Sequence, residues 1–420
     1  MFGDLNVRAV KDKNDNIISD GRPSLGFTGN MDTYKPAEGS ATRSDIAITD
    51  PDFKYPSLWK SNIAADYKFG DGWVATVELL YSKDINAIYH DNIGLYRTEQ
   101  FVNDGGAGNA RPYYNGYYSD REGNQKAANH VVMLRNTSKG HSLYTTFQLQ
   151  KNFVDGILKG LYLNGSYSFG QSRGVTDGTS SVATSAWKYR AALDGNAEEV
   201  GYTAGSFDGR LLLSASYTAN WSKYAATSFG LIYQRYRPFR YSYCYNGDAN
   251  GDSQFSNDLM YIPANFDEVK DHLLPGDFDS QEDAWKAMNA FIEQDPYLSK
   301  HRGEYAERNG AVAPFANQLD LSVSHDIKIY QKNGRSHTLR FSFNIANFLN
   351  LLNRNWGVVQ TTVLGNQQYQ FLTIPKGQGP SAANNYTLKY TMAKDLDETF
   401  KDNLNDVSRW QMQFGIKYIF

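Results

Sequence analysis

The feature that most constrains the fold is a period-two alternation of apolar and polar residues, sustained over long runs. In the run 58–69, Trp59, Ile63 and Tyr67 fall on one face, and Lys60 and Asn62 fall on the other. This pattern predicts β-strands that each present one apolar and one polar face. Eight further runs repeat it, at 73–81, 143–150, 161–169, 211–221, 229–233, 319–329, 339–345 and 410–420. The sequence therefore predicts an all-β protein built from antiparallel strands.

The connections between these runs alternate between two length classes. Short polar turns lie near 70–72, 154–160, 222–223 and 330–337, and long polar segments near 90–140, 171–209, 246–316 and 350–408. Short periplasmic turns at one rim and long extracellular loops at the other are typical of an antiparallel transmembrane β-barrel. The sequence thus predicts such a barrel with long extracellular loops.

Strand length and aromatic placement favour the membrane over a soluble sheet. A strand of ~12 residues reaches ~40 Å and, tilted by ~45°, spans ~28 Å, which is close to the thickness of the hydrocarbon core. Aromatic residues end many apolar faces, as interfacial rings do: Trp59, Trp73, Tyr81, Trp221, Tyr418 and Phe420. A soluble β-sandwich or propeller is the alternative, but its strands usually have ~5–6 residues.

Composition excludes several classes of protein. The mean hydropathy is −0.57 and no apolar run is long enough for a transmembrane helix. The net charge of −3 shows no basic footprint for nucleic acid. The single cysteine, Cys244, excludes an intramolecular disulfide. No zinc-ligand spacing, nucleophile elbow or Walker motif is present, so we expect no enzymatic activity. Residues 1–8 show no basic region followed by an apolar one, so no signal peptide is recognisable there.

One loop has the composition of a calcium site. Carboxylate and amide oxygens alternate at Asp248, Asn250 and Asp252, and Asp258 follows. This spacing resembles the start of an EF-hand loop, although Ser253 stands at the turn glycine and Leu259 where the bidentate acid belongs. We therefore expect no cofactor other than Ca²⁺ bound in an external loop; the alternative is a simple cluster of Asx and glycine turns.

Two other loop features stand out. An aromatic and cationic patch formed by Arg111, Tyr113, Tyr114, Tyr117 and Tyr118 is predicted to contact a substrate, although the same rings could pack the loop or lie at the membrane interface.

The segment 275–296 predicts a short amphipathic helix in an external loop, because Ser280 begins a capping box and Trp285, Met288, Phe291 and Ile292 follow at helical spacing.

Several ordered motifs are recognisable. They are 52–59 (DFKYPSLW), 81–87 (YSKDINA), 134–140 (LRNTSKG), 241–248 (YSYCYNGD), 257–263 (NDLMYIP) and 347–357 (NFLNLLNRNWG). In these, the chain resembles the C-terminal barrel region of TonB-dependent outer-membrane transporters, specifically the Oar-like group related to the SusC-type proteins of Bacteroidota. The resemblance covers about residues 30 to 420.

The resemblance implies part of a 22-stranded barrel. Residues 1–57 would form an N-terminal loop and strand region and 58–420 the C-terminal part of the barrel, and the plug domain and TonB box are not found in this sequence. We therefore expect a piece of a larger transporter or a truncated gene product; a small barrel closed on its own strands is the alternative. The last strand, with Trp410, Phe414, Tyr418 and Phe420, would be the signal read by the barrel-insertion machinery.

The implied function is active import of a nutrient (a peptide, a glycan or a chelate) across the outer membrane of a Gram-negative cell. The implied partners are outer-membrane lipid, TonB acting through an N-terminal region missing from this sequence, and a SusD-like lipoprotein. The residues expected to face the lumen are Lys60, Asn62, Asp66, Gln148, Gln150, Asp320 and Arg340. The alternative is a non-transporting barrel that serves as an adhesin or a passive pore.

Overall fold

The chain consists of two compact units, Met1–Arg43 and Ser44–Phe420. The computed structural model describes residues 10–11, 17–19, 45–102, 111–117, 130–178, 180–330, 336–364, 368–380, 386–392 and 398–420. In the first unit, Val10–Lys11 and Ile17–Ser19 pair as short antiparallel strands. Residues 45–57, which the sequence groups with the N-terminal region, lie in the second unit, where Ile46–Thr49 pairs in parallel with Val131–Thr137.

Nine long strands of the second unit form one antiparallel sheet, in which each strand pairs with its neighbours along the chain. They are β1 (Leu58–Phe69), β2 (Trp73–Asp84), β3 (His141–Asn152), β4 (Leu161–Gly174), β5 (Arg210–Ser222), β6 (Ala225–Tyr236), β7 (Ala316–Tyr330), β8 (Ser336–Ala346) and β9 (Gln411–Ile419). A two-residue strand, Gly201–Tyr202, adds to β4. The prediction of an all-β fold with nine long antiparallel strands is confirmed.

The register keeps apolar residues of neighbouring strands in continuous rows. One row crosses β4 to β9 through Leu161, Tyr217, Phe229, Val323, Phe343 and Phe414. Another crosses β1 to β5 through Ala65, Val77, Phe147, Tyr167 and Leu211. Because side chains alternate along a strand, all these rows lie on one side of the sheet, which we call the apolar face. The opposite side is the polar face.

The apolar face carries no aspartate or glutamate along the described strands β1–β9. Its four lysines and arginines, Lys83, Lys151, Arg173 and Arg235, are each the next-to-last residue of their strand. Large side chains remain exposed there, for example 70% of Ile63. The described residues therefore provide no second layer that covers this face.

All the short connections lie at one end of the sheet and all the long ones at the other, as the alternation of lengths predicts. The described short turns are 70–72, 153–160 and 223–224, and the connection 331–335 lies outside the described residues. The long segments are 85–140, 175–209, 237–315 and 347–410. Since β1 and β9 are separated by seven strands of alternating direction, both run toward the short-turn end. Each pairs with a single neighbour among the described residues.

The long segments contain short strands and helices of their own. The strands are Ile46–Thr49, which precedes β1, and Ala87–Asn92, Leu95–Val102, Arg111–Tyr117, Val131–Thr137, Arg240–Tyr243, Tyr261–Ile262, Leu273–Leu274, Glu304–Tyr305, Ala311–Val312, Gln360–Thr362, Gln368–Tyr369, Leu372–Thr373, Leu388–Tyr390 and Phe400–Asp402. The helices are α1 (Ala183–Lys188), α2 (Gln281–Gln294) and α3 (Phe348–Leu352), with 3₁₀ turns at Phe266–Glu268, Leu298–Lys300 and Asp406–Ser408.

The largest hydrophobic core lies among these segments and not on the sheet. Tyr243 and Tyr369 are fully buried in it, together with Phe371 and residues of α2. The predicted helix is confirmed: Ser280 caps it by accepting a hydrogen bond from the backbone N–H of Asp283. Its apolar stripe is buried because Met288 and Phe291 recur on one side of the helix. Among the described residues, no helix is long and apolar enough to cross a membrane.

Candidate functional site

The two loop sites predicted from the sequence lie against each other. The backbone N–H of Tyr114 donates to the carbonyl oxygen of Asn250 at 2.7 Å. Gly251 permits this close approach, because its φ is +83° and a Cβ built there would lie 2.1 Å from the carbonyl oxygen of Tyr114. The strand Arg111–Tyr117 and the loop 248–258 therefore form one buried polar region.

Three carboxylates converge in this region. One oxygen from each of Asp248, Asp252 and Asp258 lies within 4.8 Å of the other two, the one such group of potential metal-ligating side chains within the described ranges. Asp252 and Asp258 are buried and Asp248 is half-buried. The side chain of Asn250, which is 1% exposed, accepts a hydrogen bond from the backbone N–H of Asp252 at 2.9 Å. All four predicted metal residues are thus brought together.

The backbone of the loop accommodates both departures from the EF-hand pattern. Ser253 adopts a φ of +65°, so the turn forms there without glycine. Its backbone N–H donates to Asp248 Oδ2 at 2.8 Å. Leu259 packs in a small core with Ala191 and Cys244 and is no ligand, whereas its neighbour Asp258 joins the carboxylate cluster.

The cluster carries more negative charge than its protein partners neutralise. Burial raises the pKa of Asp252 well above its ordinary value, and the charges of Asp258 and Asp248 raise it further. Burial also raises the pKa of Asp248, although backbone N–H donors oppose that shift. Neither residue forms an ion pair with a lysine or arginine in the described part of the chain. Buried carboxylates with raised pKa values and no basic partner are stable only when they bind a proton or a cation.

Ca²⁺ fits this donor set. It takes carboxylate and amide oxygens at about 2.3–2.6 Å, so two ligand oxygens of one ion lie up to about 5 Å apart. The spacing of the three carboxylates, within 4.8 Å, meets that condition. Asp248, Asp252 and Asp258 would hold the ion, with Asn250 beside them. Calcium binding stays a prediction.

Arg111 holds the cluster to the rest of the protein. Its Nη1 lies 3.2 Å from Asp258 Oδ1, in an ion pair whose side chains are 0% and 1% exposed. Its Nη2 donates to the carbonyl oxygen of Leu259. The guanidinium also lies over the rings of Tyr245 and Tyr305, at 5.6 and 5.5 Å from their centroids. All these contacts are internal to the protein.

The described tyrosines of the predicted patch, Tyr113, Tyr114 and Tyr117, are buried as well. Tyr113 packs in the large core. Tyr114, which is 2% exposed, donates its hydroxyl hydrogen bond to Asp194 Oδ1 at 2.7 Å. The hydroxyl of Tyr117 lies 3.1 Å from Nδ1 of His130. Tyr118 lies outside the described residues, and substrate contact by this patch stays a prediction.

The region also contains residues that the sequence did not single out. Asp194 joins Tyr114 to Arg97, whose Nη1 lies 3.0 Å from Asp194 Oδ2. His130 lies 2.9 Å from the side-chain nitrogen of Asn92, and burial lowers the pKa of its imidazole. Asp194 is 80 positions from Tyr114 in the sequence, so no local motif marks the pair.

The residues predicted to face a lumen all lie on the polar face of the sheet: Lys60, Asn62, Asp66, Gln148, Gln150, Asp320 and Arg340. Cross-strand hydrogen bonds connect several of them. Asn62 donates to Glu78 at 2.7 Å, and Arg340 makes two bonds to Asp326, at 2.6 and 2.7 Å. The face offers hydrogen-bonding groups of both charges to a polar solute.

The residues of the predicted assembly signal lie at the edge strand β9. Met412, Phe414, Ile416 and Tyr418 alternate on its apolar face, with Trp410 and Phe420 at its ends. Phe414 is 65% exposed and Phe420 is 91% exposed. The hydroxyl of Tyr418 lies 2.6 Å from Nδ1 of His337. All six of these large side chains are therefore exposed.

Comparison with protein-family models, curated proteins and solved structures finds no match to this chain.

Proposed function

We propose that this chain forms the C-terminal part of the barrel of a TonB-dependent outer-membrane transporter, of the Oar-like and SusC-related type, that imports a peptide, a glycan or a chelate. The proposal is carried by the apolar face of nine in-register strands, exposed and free of acidic residues. The ordered sequence motifs and the separation of short and long connections support it further.

The dimensions of the apolar face fit an outer-membrane barrel. On β7 the apolar residues run from Leu319 to Ile329. Ten residue steps at about 3.3 Å make about 33 Å, which projects to about 25 Å across the membrane at a tilt of about 40°. Lys151 lies at the short-turn end of the apolar face and Arg235 at its long-segment end, where each side chain would reach the polar headgroups of one leaflet.

The two edges of the sheet require further strands. In lipid, each unpaired backbone group costs several kcal/mol, so a membrane sheet has to close. Because β1 and β9 run in the same direction, they cannot pair antiparallel with each other. An antiparallel closure needs an odd number of additional strands, and we propose that other parts of the same transporter supply them.

In this proposal the chain contributes a wall and external loops, and it breaks no covalent bond. Solute would pass along the polar face, whose exposed Asn62 and Asp66 belong to that wall. The long segments would bind substrate at the cell surface. TonB would act on a plug domain outside this chain, and a SusD-like lipoprotein covering the long segments stays a prediction.

Paired arginine substitutions test membrane insertion. Val323 lies on the apolar face of β7 and Ser324 is its neighbour on the polar face. We expect Val323→Arg to cost about 2–4 kcal/mol, the range measured for arginine near the middle of the lipid face of a barrel. It should therefore reduce the amount of protein recovered in the outer membrane, whereas Ser324→Arg should leave that amount unchanged. Equal recovery of both variants would contradict a lipid-facing role.

A growth assay tests whether import depends on energy supplied through TonB. Cells that express the complete transporter would be supplied with a peptide mixture, a glycan mixture or a ferric chelate as the sole source of the limiting nutrient. We expect a growth gain on one of them that disappears when TonB is deleted. A gain that survives the deletion would indicate a passive pore, and no gain on any of them, combined with loss of surface attachment on gene deletion, would indicate an adhesin.

A further inference from the structure

Arg235 lies at the end of the apolar face nearest the long segments. It pairs with Leu211 and Asn317, one row beyond Tyr233. The hydroxyl of Tyr233 donates to Asn317 Oδ1 at 2.8 Å. Tyrosine and arginine at this position form the polar rim of the apolar band.

Two arginines share one aromatic ring at this rim. The guanidinium carbon of Arg235 lies 4.4 Å from the centroid of Phe315, and that of Arg237 lies 4.0 Å from it. The ring fixes both planar cations, which otherwise repel each other. The ring thus holds two guanidinium groups at one place, and Nη1 of Arg237 also donates to the carbonyl oxygen of Ala313 at 2.7 Å.

The charges at this rim are unbalanced. Arg237 lies 3.4 Å from Asp208, which also pairs with Arg240. Arg235 is exposed and forms no ion pair with any described carboxylate. Asp208 thus pairs with two of these three arginines, and the apolar face of the described strands carries no acid. The exposed guanidinium of Arg235, at the rim of the apolar face, is therefore available to an anionic partner.

We propose that Arg235, Arg237 and Phe315 bind the phosphate headgroup of an anionic lipid in the leaflet on the side of the long segments. Guanidinium groups recognise phosphate by paired, charge-assisted hydrogen bonds. A lipid would place its phosphate at the rim, and its acyl chains would lie against Leu213 and Leu319 on the apolar face. This inference rests on the proposed membrane location of the apolar face.

Native mass spectrometry of the detergent-purified complete transporter tests the proposal, with phosphatidic acid and phosphatidylcholine of identical chains as probes. We expect preferential retention of phosphatidic acid. Because a basic residue near a membrane surface contributes about 1 kcal/mol, Arg235→Gln should weaken that retention about fivefold. Arg235→Lys should retain most of it. Arg354→Gln is the matched control and should have no effect, since Arg354 is likewise an exposed arginine but lies in a long segment, away from strand β6 in the sequence.

Equal retention by the wild type and Arg235→Gln would overturn the proposal, as would an equal loss in Arg354→Gln. Inorganic phosphate added alone should bind weakly; binding as tight as that of phosphatidic acid would indicate a free-anion site and no lipid preference. Recovery of Arg235→Gln in the outer membrane is measured in parallel. Normal recovery with unchanged lipid retention rejects only this inference, whereas a complete wild-type transporter that does not reach the membrane rejects the proposed function.

Discussion

Removing the guanidinium of Arg111 would remove the buried ion pair of Asp258, one of three neighbouring carboxylates. Arg111 and Asp258 are 0% and 1% exposed, and Asp258 lies beside Asp248 and Asp252. We expect Arg111→Met to lower the free energy of unfolding by about 3–5 kcal/mol, because breaking a buried pair strands a charge in the interior. A loss of about 4 kcal/mol corresponds to about a thousandfold change in the ratio of folded to unfolded protein.

Urea unfolding of the detergent-purified protein, followed by tryptophan fluorescence, measures this loss. The loss should also depend on pH. Without Arg111 the pKa of Asp258 should rise in the folded state, and such a carboxyl loses stability as the pH increases from the ordinary aspartate range through the raised pKa. The cost of Arg111→Met should therefore be smaller at pH 4 than at pH 7.

Lys270→Met is the matched control. Lys270 pairs with Asp267 at 2.9 Å, and their side chains are 48% and 81% exposed. An exposed pair contributes little to stability, so this variant should unfold nearly as the wild type does. Equal stability of the two variants at both pH values would refute the structural role of Arg111. If nutrient uptake were lost at the same time, the residue would contact a substrate instead.

Three further predictions concern the calcium loop and the last strand. Adding CaCl₂ at a hundred times its dissociation constant should increase the stability of chelator-treated protein by about 2.7 kcal/mol, and Asp252→Asn should remove the effect; no calorimetric heat and no shift in unfolding would exclude the site. Gly251→Ala should lower the free energy of unfolding by about 1–3 kcal/mol more than Gly377→Ala. Both glycines have positive φ (+83° and +79°), but a Cβ at Gly251 would clash with the carbonyl oxygen of Tyr114, whereas a Cβ at Gly377 would meet no atom within 4 Å. Equal costs would show that the loop can move away from Tyr114. Phe420→Ala should reduce the amount of complete transporter in the outer membrane, whereas Leu404→Ala, also at an exposed side chain, should not; equal amounts would argue against an assembly signal.

Side-chain periodicity is enough to predict the long strands and helix α2 of this protein. Strand β1 was predicted and observed at 58–69, and α2 at 281–294 lies within the predicted segment 275–296. These elements are predictable because side-chain periodicity reports directly which side of a strand or helix meets an apolar environment. Four of the eight strand pairings follow too, since short turns force neighbours along the chain to pair, whereas the other four join strands connected by long segments.

The hydrogen-bonding and ion-pair partners of the polar loop residues depend on long-range contacts that form only in the folded protein. Arg111 reaches Asp258 across 147 positions and Tyr114 reaches Asp194 across 80, and nothing in either local sequence specifies its partner. Substrate contact and packing within the loop were both open for the patch, and the fold buries its described members Arg111, Tyr113, Tyr114 and Tyr117. Polarity indicates that a side chain needs a hydrogen-bonding partner, and only the fold determines whether that partner is water, a ligand or another part of the chain.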